Sequence, residues 1–159
     1  KRLFEEKLKT YIMQHNRKSI KTVDPASLQA MLALEAYGKT CPLQPLYKEL
    51  IKIRASQMNG CAYCLDMHTE DAVKMGELPR RIFAMGVWQE SHLFNEEERA
   101  LLQITEEVTK ISEKGITNAT YNKVVELFGE KMTAQIIMLI ITINAWNRMA
   151  IASHEIYKP

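Results

Sequence analysis

Cysteine is scarce in this chain, and so is net charge. Three cysteines in 159 residues are an odd number, which argues against the disulfide scaffold of small secreted domains. A net charge of +2 gives no electrostatic case for a nucleic-acid partner. Long apolar runs are missing too. The longest, Ile136–Ile143, is eight residues, far below the roughly 20 that a membrane span needs. With five prolines and six glycines there is no low-complexity tract, and no repeat at a solenoid period is visible. The first residues show no signal-peptide pattern. These absences lead us to expect a cytoplasmic protein with neither a nucleic-acid nor a membrane partner.

What is present is ordinary for a globular chain: 47% hydrophobic and 25% charged residues, at a length that suits one core. The charge is unevenly spread. Residues 1–24 hold seven basic and three acidic side chains, and the remainder fourteen and sixteen. We therefore expect an N-terminal helical arm over 1–24, its charges on a solvated face, and a main helical domain over 25–159.

Helix signals follow one another along the sequence. Phe4, Leu8, Tyr11 and Ile12 form one apolar stripe over 3–16. Asp24-Pro25 reads as a cap and first helical position, with Gly38 closing that helix. Further helices are expected from about 46 to 58, 61 to 76, 79 to 89, 96 to 113, 118 to 128 and 133 to 156. Asn59-Gly60 marks a turn, and Asn95 with Glu98 a capping box. The last helix is apolar nearly all round in its first half, as a helix central in a bundle or buried between subunits would be. No period-2 strand stands out. The expected fold is all-α, a bundle of seven or eight helices with the cysteine pair at a helix N-terminus.

That pair lies in QMNGCAYCLDMH, residues 57–68. A c-type haem would require His directly after the second Cys, and Leu65 is there. Zinc would take Cys61, Cys64 and His68, with Cys41, His92 or His154 as fourth ligand, none of them at diagnostic spacing. Plain packing is a third reading, since free Cys is among the most buried residue types. Redox chemistry is the fourth, and it uses more of the residues. Cys61 and Cys64 share one helical face at i,i+3, and a helix N-terminus favours thiolate at Cys61. His68, one turn past Cys64, can take a thiol proton. A low-pKa thiol beside a resolving one suits peroxide reduction or disulfide exchange.

Glu49 joins this group by register. If the helices flanking Asn59-Gly60 fold back antiparallel, Glu49 and His68 each lie about 15 Å from the turn at 1.5 Å per residue. The carboxylate is then placed to orient the imidazole. The alternative is a surface carboxylate paired with Lys48 or Lys52.

The whole pattern, Glu49-x11-Cys61-x2-Cys64-x3-His68 within ELIKIRASQMNGCAYCLDMHTEDAVKMGE, strongly resembles the AhpD-like alkylhydroperoxidases of the carboxymuconolactone decarboxylase superfamily. WQESHLFNEEERALLQITEEVT and INAWNRMAI extend the resemblance, which runs from about residue 25 to 152. It implies an all-helical homo-oligomer of two, three or six subunits that reduces hydroperoxides without a cofactor. It implies Cys64 as the attacking cysteine, Cys61 as the resolving one, and His68 with Glu49 as a proton relay. Electrons would come from a thiol or dithiol donor, a thioredoxin-like or lipoyl protein. The best-described members carry a second histidine between the cysteines; here it is Tyr63. Tyrosine donates a hydrogen bond but takes no proton at neutral pH, so Tyr63 is expected to contact substrate and the relay to be weaker. Disulfide exchange that feeds electrons to a peroxiredoxin is therefore the alternative activity, and a non-catalytic oligomer with a zinc-binding or structural Cys cluster a further one. The decarboxylase whose name the superfamily bears lacks this cysteine pair.

Outside the motif, Cys41 reads as a bystander thiol. Trp88, Trp146 and the methionines at helical spacing read as core. Asn144, Asn147 and Arg148 interrupt an apolar helix and read as buried anchors or subunit contacts.

Overall fold

The structure is a computed structural model that describes residues 5–7 and 17–157. The expected stripe of Phe4, Leu8, Tyr11 and Ile12 lies outside the described residues. All the regular elements among the described residues are helices, joined by short loops, with no strand among them. In chain order the helices are α1 (Ile20–Val23), α2 (Pro25–Lys39), α3 (Pro45–Asn59), α4 (Ala62–Lys74) and α5 (Pro79–Ala84), the last running into a 3-10 segment, Met85–Glu90. Then come α6 (Glu96–Thr109), α7 (Ile111–Lys114), α8 (Asn118–Phe128) and α9 (Glu130–Ala152).

Local chemistry sets most of these boundaries. Asp24 caps α2 by accepting from the Ala26 N–H, with Pro25 at the first helical position. Asn95 and Glu98 close a complete capping box on α6. Gly60 ends α3 in the left-handed region, φ 69° and ψ 31°, the conformation glycine adopts at least cost.

Two expected helices are subdivided, so the segments slightly outnumber the forecast. The helix from Pro79 turns 3-10 from Met85 and leaves helical geometry at Val87, φ −129°. The helix from Glu96 breaks at Lys110, φ −102° and ψ 41°. Gly38 does not close α2. It lies inside the helix where α2 meets α9; a Cβ there would come within 2.9 Å of Leu139 Cδ2. The last helix stops at Ala152 rather than near 156, and His154 turns the chain at φ 50°. The tail is captured by residues 17–21. Ser153 Oγ accepts from the Ile20 N–H at 3.1 Å, and Glu155 accepts from Ser19 and from Lys21.

α9 runs through the bundle and touches α2, α3, α4, α6 and α8. Among the described residues it is the one helix long and apolar enough to cross a membrane by length and composition. Yet it buries Thr133, Thr142, Asn144 and Asn147 against its neighbours. α3, α6 and α9 enclose the main core around Leu50, Ile51, Ile53, Leu101, Leu102, Ile104, Ile136 and Ile140. α3 and α4 pack as an antiparallel hairpin about Gly60, and a smaller cluster of Ala55, Cys61, Cys64, Ile143 and Ala150 lies beside that turn.

One ion cluster ties α5 to α6. Arg81 Nε donates to Glu77 at 2.8 Å, and its other nitrogens reach Glu98 and the Leu93 carbonyl. Both carboxylates are buried. Replacing Arg81 by Met leaves two buried charges without their cation, an expected loss of roughly 3–5 kcal/mol in urea denaturation. A loss below about 1 kcal/mol would mean that the cluster behaves as a surface pair.

Candidate active site

The α3–α4 hairpin brings the predicted residues together. Cys61 is the N-cap of α4, and its Sγ accepts from the Cys64 N–H at 3.4 Å. Both sulfurs are buried and free, 1% and 2% exposed. One turn on, His68 Nδ1 lies 2.8 Å from Glu49 Oε2. Glu49 meets His68 as the hairpin register predicts; it is buried rather than a surface carboxylate, although Lys52 Nζ also reaches its Oε1, at 2.9 Å. Burial pushes the Glu49 carboxyl up, but the hydrogen bond from His68 and the Lys52 charge outweigh it, and its pKa falls below the usual range. A carboxylate only accepts, so Nδ1 carries the proton and Nε2 is the nitrogen left to accept one.

The two sulfurs differ in environment. A cavity of about 260 Å³ is lined by Cys64 and His68 with Tyr63, Met67, Trp146, Ala150 and Glu35. Cys61 does not line it. That residue borders a shallower cleft of about 150 Å³ formed with His154, Glu155 and Ile151. Tyr63 walls both and packs edge-on against Tyr157, ring centres 5.6 Å apart. Met67 is thus a cavity wall rather than the core residue expected, Trp146 both packs on the smaller core cluster and walls the cavity, and Trp88 is buried as expected.

Electrostatics and access favour different sulfurs. The Cys61 thiol is lowered to about 7, chiefly by a hydrogen bond from Cys64, helped by the Cys64 N–H and Asn147 against the cost of burial. Cys64 is raised by that same bond, by burial and by the Cys61 charge. The pair thus loses its first proton from Cys61, while Cys64 alone faces the cavity.

Asn147 belongs to a buried network whose other end sequence reasoning missed. Asn59 Nδ2 donates to Asn144 and Asn147 Oδ1, each at 2.9 Å, and Asn147 Nδ2 donates to Ser56 Oγ at 3.0 Å. The turn before Cys61 is thereby tied to α9. Ser56 and Asn59 stand within the same motif as the cysteines, which was the available signal.

The ligand set weighed for zinc does not gather. Among the described residues the only such grouping is Glu49, His68 and Asp71, with ligand atoms within 4.8 Å of one another. A cation there would have to displace Lys52. Cys41 sits in the main core, in a different cluster from the pair, and His92 is exposed.

Comparison with known proteins agrees with this construction. Residues 25–107 match the model of the carboxymuconolactone decarboxylase family. The uncharacterized protein YdfG of Bacillus subtilis is 40% identical over 136 residues, 86% of this chain and 92% of that one. A crystal structure of a protein of unknown function from Agrobacterium tumefaciens, whose description suggests an AhpD antioxidant-defence role, superposes with a TM-score of 0.86 at 35% identity. That match covers 90% of this chain and 98% of the other. An uncharacterized peroxidase-related protein from Silicibacter sp. TM1040 shares the fold at 20% identity and a TM-score of 0.70, over 84% of this chain and 71% of its own. Matched over half its length by the family model and over most of its length by a 40% identical relative, this chain belongs to the carboxymuconolactone decarboxylase family.

Proposed function

We propose that this protein reduces organic hydroperoxides with the Cys61–Cys64 dithiol. The observation that carries the reading is that Cys64 and His68 share one largely apolar cavity while Glu49 holds the far side of the imidazole at 2.8 Å. Cys64 gives its proton to His68 Nε2 and attacks the outer oxygen of the hydroperoxide. The O–O bond breaks, the sulfur becomes a sulfenic acid, and the alkoxide takes a proton from the imidazolium and leaves as alcohol. Cys61, already ionised near neutral pH, attacks the sulfenic sulfur. The disulfide forms and the hydroxide leaves as water, taking back from solvent the proton that Cys61 gave up on ionising. A donor dithiol, on a thioredoxin-like or lipoyl protein, then takes over the disulfide and restores both thiols. Tyr63 contributes contact and a hydrogen bond to the substrate, not a second base.

Such a cycle requires a reducing compartment, in keeping with a cytoplasmic location. The working form is a homo-oligomer. Exposed Leu32 and Tyr37 on α2, and Ile141 and Ile151 on α9, are apolar surface that further subunits would cover.

One observation favours a second reading. Cys61 faces its own cleft and ionises near neutrality, as disulfide exchange with another protein requires. The two readings differ in whether hydroperoxide alone oxidises the pair. Adding one equivalent of cumene hydroperoxide to reduced protein should remove two of the three thiols. Cys64→Ser should abolish the loss, and Cys61→Ser should halt at a sulfenic acid that dimedone traps. Persistence of all three thiols would move the assignment to protein disulfide exchange.

The relay makes its own forecast. His68→Ala should slow oxidation by about 10²-fold or more, the scale of a lost general base, and Glu49→Gln by less. Rates within twofold of wild type for His68→Ala would remove His68 from the mechanism.

Iodoacetamide labelling of Cys61 reports its ionisation. The rate should rise through about pH 7, instead of the roughly 8.5 of a free thiol. The thiolate is present above that midpoint and lost below it. In Asn147→Ala the midpoint should move up.

A further inference from the structure

The chemistry above leaves one charged group on the cavity wall unused. Glu35, in the second half of α2, lines the main cavity and also the narrow void of about 20 Å³ behind it, which His68 and Trp146 border as well. It is half-buried, and its recorded partner is Trp146, whose Nε1 donates to Oε2 at 3.2 Å. Among the described residues no Lys or Arg forms an ion pair with it. Lys52 borders the same void but is engaged with Glu49 at 2.9 Å. The remaining side chains of the main cavity are apolar, aromatic, thiol or imidazole. A carboxylate fixed by an indole N–H against such walls repels a second negative charge more strongly than it would in water, and no lysine or arginine lines the walls to offset it.

We propose that Glu35 is a specificity-determining residue: it admits uncharged hydroperoxides to Cys64 and turns away those that carry a carboxylate near the reacting end. This rests on the hydroperoxide reading for its substrate class. The charge filter itself belongs to the cavity and can be read without a peroxide. The alternative is that Glu35 only tethers Trp146. Glu35→Gln separates the two, because an amide oxygen still accepts the indole N–H while the charge is gone.

The experiment compares iodoacetamide with iodoacetate, a neutral and an anionic thiol reagent of nearly equal size. Labelling of Cys64 is followed by peptide mass spectrometry in a Cys61→Ser background, and the rate ratio is divided by that for glutathione. Cumene hydroperoxide and its ortho-carboxylate derivative, whose charge lies beside the reacting end, are then compared by thiol loss. The neutral reagent should be favoured by at least about tenfold over the glutathione ratio, and Glu35→Gln should remove most of that preference in both pairs. A normalised ratio near one, or a preference that survives in Glu35→Gln, would overturn the proposal. If cumene hydroperoxide is inert while the iodo ratio responds to Glu35→Gln, the peroxide reading fails and the charge filter stands.

Discussion

The amide of Asn147 joins the two helices between which the cysteine pair is held. Its nitrogen donates to Ser56 and its oxygen accepts from Asn59. The side chain is fully buried, so neither bond is exchanged with water and breaking one leaves an orphaned polar atom in the interior. The constraint acts on the last turn of α3, hence on Gly60, hence on the direction in which α4 departs. Everything on the first two turns of α4 inherits its position from that tie, the two sulfurs and the imidazole included. Asn144 doubles the tie through Asn59 and also holds Thr109 of α6 at 3.0 Å. A polar seam therefore aligns three helices whose apolar contacts alone would tolerate sliding. Hydrophobic packing is forgiving about register, and hydrogen-bond geometry is not.

Within that frame the two cysteines are unlike each other although only two residues separate them. The N-cap position gives Cys61 a backbone donor and a neighbouring thiol, and these stabilise charge. Cys64, one turn in, has the imidazole and the cavity. A stable anion is a good leaving group and a patient nucleophile. A buried neutral thiol beside a base is reactive only when a proton acceptor and an electrophile are both in place. The division of labour proposed for them follows from where each residue falls on one helix.

The parts of this arrangement legible in the sequence are those set by local rules. The Glu49–His68 contact follows from helical rise and a turn at Asn59-Gly60, because both residues lie on one hairpin. The capping box at Asn95 and the Asp24-Pro25 start are readable for the same reason. What could not be read depends on partners far along the chain. Asn147 meets Ser56 across 91 residues, and nothing in either segment marks the other. The break at Lys110 occurs without proline or glycine beside it, and the capture of the tail by residues 17–21 is a tertiary event. That Trp146 packs on the smaller cluster and also walls a cavity is not legible either, because helical spacing reports which face a residue occupies, not whether that face meets side chains or a cavity.

Cys41 has a consequence of a different kind. It is packed among Leu43, Tyr47 and their neighbours in the main core, 3% exposed, in a different cluster from Cys61 and Cys64. A thiol in that position meets a reagent only when the surrounding helices separate, so its labelling rate is governed by the opening equilibrium of the bundle. The chain thus carries its own stopwatch for structural breathing, ticking independently of whatever happens at the other two sulfurs.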